Sequence, residues 1–120
     1  MPRFVILEHD QPFLHWDFML EAGDVLRTWR LAHVPEYDKA SAATYLHEHR
    51  RLYLDYEGPL SGNRGSVRRW DTGVFHWLAD EPDCARLELA GDKVHGMAVL
   101  KRESADAWTF VLTSTARAVR

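Results

Sequence analysis

The sequence predicts an all-β fold: a compact β-barrel of one domain over residues 1–120, with short helical or irregular connections. Three observations carry this reading. Apolar and polar residues alternate in short runs, the period of a half-buried strand. Turn residues separate those runs at regular intervals, as in Ala22-Gly23-Asp24 and Gly91-Asp92. Closure into a barrel or a sandwich is the way many short strands hide their edges.

The elements follow in order. Phe4 to Leu7 is a short apolar run, and after Gln11-Pro12 comes a second strand from Leu14 to Glu21. Gly23-Asp24 turns the chain into Val25 to Leu31, the returning arm of a hairpin. Pro35 marks a loop. Ala40 to His49 has helix-forming residues without a clear apolar stripe, so its state stays open. Leu52 to Tyr56 alternates and reads as a strand, and the glycines at 58, 62 and 65 punctuate a long loop suited to cover a site. Two strands, Ser66 to Trp70 and Val74 to Trp77, are expected on either side of a turn at Asp71-Thr72-Gly73. Three more follow at Ala85 to Leu89, Val94 to Lys101 and Trp108 to Thr113, then a tail from Thr115 to Arg120. Trp16, Phe18, Trp29, Phe75, Trp77 and Phe110 are spaced as barrel core.

Composition narrows the function classes. A chain of 120 residues that is 46% hydrophobic can bury one core, and it contains no apolar run of membrane-span length. Met1-Pro2-Arg3 leads directly into a strand with no signal-peptide pattern, and the single cysteine, Cys84, cannot form an internal disulfide. Both features point to the cytoplasm. A net charge of −3 argues against coating nucleic acid by charge alone. A local patch is available in Arg50, Arg51, Arg64, Arg68 and Arg69.

The chemistry concentrates in Leu14-His-Trp-Asp-Phe-Met-Leu-Glu. On a strand, the even residues face a core and His15 and Asp17 project together from the other side. His9, six residues before His15, can join them from the end of the preceding strand. Two imidazoles and a carboxylate on a rigid β scaffold are a metal-site skeleton.

The ordered set of motifs resembles a known family. Phe4-Val-Ile-Leu-Glu-His-Asp, Leu14-His-Trp-Asp-Phe-Met-Leu-Glu and Leu26-Arg-Thr-Trp-Arg-Leu-Ala are similar to the opening of the 3′-phosphoesterase domain. That domain is one module of bacterial end-joining DNA ligase D and also occurs alone. Glu48-His49, Tyr53, Asp55-Tyr56-Glu57-Gly58, Trp70-Asp71-Thr72-Gly73 and Gly91-Asp-Lys-Val-His-Gly96 resemble its middle and closing strands. The resemblance implies a manganese-dependent (Mn2+) hydrolase that trims primer–template DNA 3′ ends, releasing a terminal ribonucleoside or a 3′-phosphate. It implies partnership with a DNA ligase or polymerase of end joining. It assigns the metal to His9, His15 and Asp17, and the scissile phosphate to His49 and Tyr53.

One position departs from the pattern. The family carries an arginine two residues after the metal-binding aspartate, where this chain has Met19. Arg27, Arg30 and Arg64 are candidates to supply the missing charge. Without a substitute, the chain would be a catalytically impaired nucleic-acid or phosphate-binding module. A further reading takes His15 and Asp17 with a distant histidine as a non-haem iron oxygenase triad, which would leave His9 without a role.

Overall fold

A computed structural model describes residues 1–114; the predicted tail from Thr115 lies outside the described residues. The strands are β1 (Arg3–His9), β2 (His15–Ala22), β3 (Val25–Leu31), β4 (Ser41–Arg50), β5 (Gly58–Pro59), β6 (Ser66–Glu81), β7 (Cys84–Gly91), β8 (His95–Ser104) and β9 (Ala107–Ser114). Neighbours pair in the order β1-β2-β3-β4-β9-β8-β7-β6, and β1 pairs back onto β6 to close an antiparallel barrel. The two-residue β5 sits beside the start of β6, outside the ring. No described helix is long and apolar enough to cross a membrane.

The barrel interior is filled from every strand of the ring. Phe4, Ile6, Phe18, Leu20, Trp29, Phe75, Leu87, Leu100, Trp108 and Phe110 belong to one buried cluster, with Trp16, Trp70 and Trp77 packed against it. Phe18 meets Phe4 and Phe110 edge-on, at centroid separations of 6.2 and 5.6 Å.

A second apolar layer lies on the outer wall. Val5, Leu7, Met19, Leu26, Leu54 and Val67 form a separate buried cluster, with Tyr53, Tyr56 and Leu60 against it. Strand β1 is therefore apolar on both faces, and Phe4, Val5, Ile6 and Leu7 are all fully buried. The outer side of β2 is equally dry: His15 is 0%, Asp17 5% and Met19 3% exposed. Leu14, which the alternation placed in the core, lies just before the strand and is exposed.

Two local expectations change, and the ambiguous segment Ala40 to His49 falls almost wholly within β4, paired with β3 and β9. Leu52 to Tyr56 is not a strand. A single 3-10 turn, Arg51–Leu54, folds the chain back so that Leu54 plugs the outer cluster while Leu52 faces solvent. Nor does the chain turn at Asp71-Thr72-Gly73, because β6 runs unbroken for 16 residues and passes from pairing with β1 to pairing with β7. Gly73 serves close approach there: a Cβ would fall 2.1 Å from the Ala90 carbonyl oxygen.

Asp71, the other apparent turn residue, is a buried clasp. Its carboxylate accepts the backbone N–H groups of Thr72 (2.9 Å), Lys93 (3.0 Å) and Val94 (2.9 Å), and so holds the β7–β8 connection onto β6. Asp71→Ala strands the buried Val94 amide, worth about 1–3 kcal/mol, and removes the part-buried bonds to Thr72 and Lys93. Urea denaturation of this variant is expected to show a loss of roughly 3 kcal/mol; an unchanged midpoint would show that the clasp contributes nothing.

Candidate metal centre

Strand pairing assembles the site. His9, the last residue of β1, stands directly opposite His15, the first residue of β2, and the two rings lie 4.7 Å apart. Asp17 is two residues further along β2, on the same outward face as His15. Its carboxylate reaches both rings, with Oδ2 at 3.4 Å from His9 Nδ1 and Oδ1 at 3.3 Å from His15 Nε2.

Backbone carbonyls set which ring nitrogens face inward. His9 Nε2–H donates to the Arg64 carbonyl at 2.8 Å, and His15 Nδ1–H donates to the Phe13 carbonyl at 2.8 Å. A carbonyl can only accept, so in the neutral rings the lone pairs are on His9 Nδ1 and His15 Nε2. Both of those atoms point at Asp17.

The centre is thus short of positive charge. His15 Nε2 and Asp17 Oδ1 are buried and have no hydrogen-bond partner. Two unpaired acceptors facing each other in a dry place are costly. Additional protons or one cation would relieve the deficit. The ligand atoms of His9, His15 and Asp17 lie within 4.8 Å of one another, a separation at which all three can hold one ion. Two nitrogens and a carboxylate suit a divalent transition metal, and the two carbonyl contacts are the outer support that such imidazole ligands ordinarily have.

The charges respond accordingly. Burial alone would raise the Asp17 carboxyl, but once the rings take up protons, hydrogen bonding and charge from His15 and His9 outweigh burial and hold it at about 2. The same contact raises His9 above its ordinary value of 6.5, against the opposing effect of burial.

Beside the triad lies a cavity of about 90 Å3, roughly three water molecules in liquid volume. Its lining includes His9, Asp17, Met19, Arg30, His49, Tyr53 and Arg64. The structure therefore brings His49, from β4, and Tyr53, from the 3-10 turn, to the same space as His9 and Asp17. His49 Nδ1 is buried without a partner, and burial lowers its pKa, with Arg30 and His9 adding to the effect and Asp17 opposing it. Arg64 is present, although its Nε donates to the Ser61 carbonyl (2.8 Å) and its Nη2 to Ser61 Oγ (3.0 Å).

Arg27 is not brought to the site. It pairs with Leu20 across the β2–β3 hairpin, so it follows the inward face. Its guanidinium packs over Trp29 and Trp77 and bonds Asp80 Oδ1 at 3.0 Å. Among the other arginines of the sequence patch, Arg51 pairs with Glu21 and Arg68 with Glu8.

Residue typing missed the backbone carbonyls of Phe13 and Arg64 and the device that positions the latter. Asp10 Oδ1 accepts the Ser66 N–H at 2.9 Å and tethers the 60–65 loop beside His9. Gly65, at φ +79°, lets the loop close this tightly, since a Cβ would sit 2.1 Å from Asp10 Oδ1. An acidic residue just after a ligand histidine, with a glycine in the facing loop, is the trace this leaves in sequence.

Fold and centre define a class: a closed β-barrel with a candidate two-histidine, one-carboxylate cation site on its outer wall. Residues 7–102 match the family described as the DNA Ligase D 3′-phosphoesterase domain, and the chain belongs to that family. It is 31% identical over 104 residues to the multifunctional non-homologous end joining protein LigD of Pseudomonas aeruginosa, covering 78% of this chain and 12% of that protein. It is 29% identical over 114 residues to the multifunctional non-homologous end joining DNA repair protein LigD of Mycobacterium tuberculosis, covering 88% of this chain and 15% of that protein. The chain thus spans only a small fraction of these relatives.

The centre makes two testable demands. Calorimetric titration with Mn2+ should show His15→Ala weakening binding by more than the ~10–100-fold that loss of an outer-shell partner costs; unchanged affinity removes His15 as a ligand. The second demand concerns pH. Because Asp17 raises His9, their pairing stabilises the metal-free fold at low pH and fades as pH climbs through the raised His9 value. Metal affinity should grow over that same interval as the competing proton leaves. In metal-free protein followed by NMR, Asp17→Asn should move the His9 titration to lower pH, and an unmoved midpoint would refute the pairing.

Proposed function

We propose that the protein is a manganese-dependent phosphoesterase that processes DNA 3′ ends, removing a terminal ribonucleoside in one step and a 3′-phosphate in another. The observation that carries this reading is the cation-deficient triad opening on a small cavity shared with His49 and Tyr53. Family membership supplies the reaction class.

His9, His15 and Asp17 would hold the cation. When bound, it supplies Lewis-acid withdrawal of charge from the phosphoryl group and acidifies a coordinated water. The residues around it do the rest. In the monoesterase step a water oxygen bonds to phosphorus, the bond from phosphorus to the 3′ oxygen breaks, and the proton given up by water ends on that oxygen. In the diesterase step a water oxygen again bonds to phosphorus, but the bond from phosphorus to the 5′ oxygen of the terminal nucleoside breaks and the proton ends on that oxygen, which releases the nucleoside and leaves a 3′-phosphate. His49, whose pKa burial lowers, is suited to donate one N–H to a non-bridging oxygen or to accept the proton of the attacking water. Tyr53 offers a hydroxyl donor on the same wall. Arg64 adds long-range positive charge from the loop, whereas Arg27 faces the barrel interior and has no part in this proposal.

Met19 favours a second reading, a module that binds 3′ ends without turning them over. Its buried thioether leaves the β2 side of the cavity without a charged donor. The names of the relatives place them in non-homologous end joining. By extension, we place this chain in the cytoplasm beside a ligase or polymerase of that process, as one 3′-phosphoesterase-like domain.

The test is a gel assay on a 5′-labelled primer–template ending in a ribonucleotide or a 3′-phosphate, run with Mn2+ and with EDTA. The proposal expects metal-dependent shortening or dephosphorylation, lost in His9→Ala and His15→Ala. A folded, metal-loaded protein that leaves both ends intact would contradict the enzyme and support the binding module.

A further inference from the structure

A second positive group beside a cation centre can grip phosphate oxygens, and strand β2 provides none, because Met19 is apolar and buried. We propose that Arg30 is that group: its guanidinium, delivered from β3 rather than β2, binds the non-bridging oxygens of the substrate phosphate. This rests on the phosphoesterase reading above and names the residue that reading lacks.

Register puts Arg30 in place. It stands directly across from Asp17 in the β2–β3 pair, while Met19 faces Thr28. Cross-strand partners share a face, so Arg30 projects outward with His15 and Asp17 and lines the cavity beside His49 and Arg64. Met19 and Arg30 are diagonal neighbours on that face, within the reach of a long side chain.

Arg30 is also uncommitted. Arg27 is held by Asp80, and Arg64 by Ser61. Arg30 is half-buried, its Nε is enclosed without any hydrogen-bond partner, and its described contact is the ring of Phe13, 5.5 Å from the guanidinium carbon. A partly desolvated guanidinium with no carboxylate partner is costly until an anion reaches it. Asp17 is the one acidic residue lining the same cavity, and it faces the two imidazoles. What remains for Arg30 is an anion arriving from outside. Its planar fork matches two phosphate oxygens at once, which a point charge cannot do.

The experiment compares wild type, Arg30→Ala, Arg30→Lys and the double variant Met19→Arg/Arg30→Ala. It reads three quantities: Mn2+ affinity, binding of a primer–template with a 3′-phosphate against the same duplex with a 3′-hydroxyl, and single-turnover release of phosphate. The expected result is unchanged Mn2+ affinity in Arg30→Ala, loss of the preference for the phosphorylated end, and a fall in rate on the order of 10²–10³-fold. Arg30→Lys should recover part of the loss, and the double variant should recover more, since an arginine at 19 projects into the same space. Wild-type preference and rate in Arg30→Ala would overturn the assignment while leaving the enzyme reading intact. Loss of Mn2+ binding in Arg30→Ala would also overturn it, by showing that the residue supports the metal centre instead. A wild type that neither cleaves nor prefers the phosphorylated end would remove the phosphoesterase reading and this inference together.

Discussion

Burial of strand β1 on both faces is the constraint from which the site follows. Phe4 and Ile6 fill the barrel, so Val5 and Leu7 need a second apolar cover on the outer wall. The segment after β4 provides it, with Leu54 of the 3-10 turn in the outer cluster and Tyr56 and Leu60 at its margin. The same segment then brings the Arg64 carbonyl onto His9 and Tyr53 into the cavity. Packing and chemistry share one piece of chain, so loosening the outer cover would disorder the histidine as well as expose leucine.

What the barrel holds in place is an electrostatic imbalance. A carboxylate lies between two imidazoles whose outer nitrogens are committed to carbonyls, leaving two ring nitrogens and two carboxylate oxygens converging without a donor. Low pH can satisfy it with protons, and neutral pH calls for a cation. Positions on paired strands keep those acceptors converged before any ion arrives, which lowers the reorganisation that binding would require. Protein stability and metal affinity consequently trade against each other through the same three side chains.

Much of this was legible in the sequence. The alternation in β2 identified which residues share a face, and His9, His15 and Asp17 converge as their spacing implied. Arg30 against Arg27 shows how much further counting reaches. A two-residue turn at Gly23-Asp24 pairs Ala22 with Val25, so stepping back along the hairpin sets Asp17 opposite Arg30 and Leu20 opposite Arg27. That parity separates the outward arginine from the inward one without a structure. Other features had no such signature. Asp71-Thr72-Gly73 has turn composition, but the residues are chosen for a buried clasp and a close backbone approach within a long strand. Leu52 to Tyr56 alternates like a strand, yet it follows directly on β4 and must reverse to cover the outer cluster. The carbonyls that orient the histidines belong to loops, where side-chain identity says little about backbone direction.

The central claim is that His9 and His15 present nitrogen to one cation shared with Asp17, and pulsed electron paramagnetic resonance on Mn2+-loaded protein tests it most directly. The account predicts nitrogen couplings from two imidazoles at a single manganese, reduced to one in His9→Ala. A spectrum without nitrogen coupling, from manganese bound through oxygen alone, would contradict it.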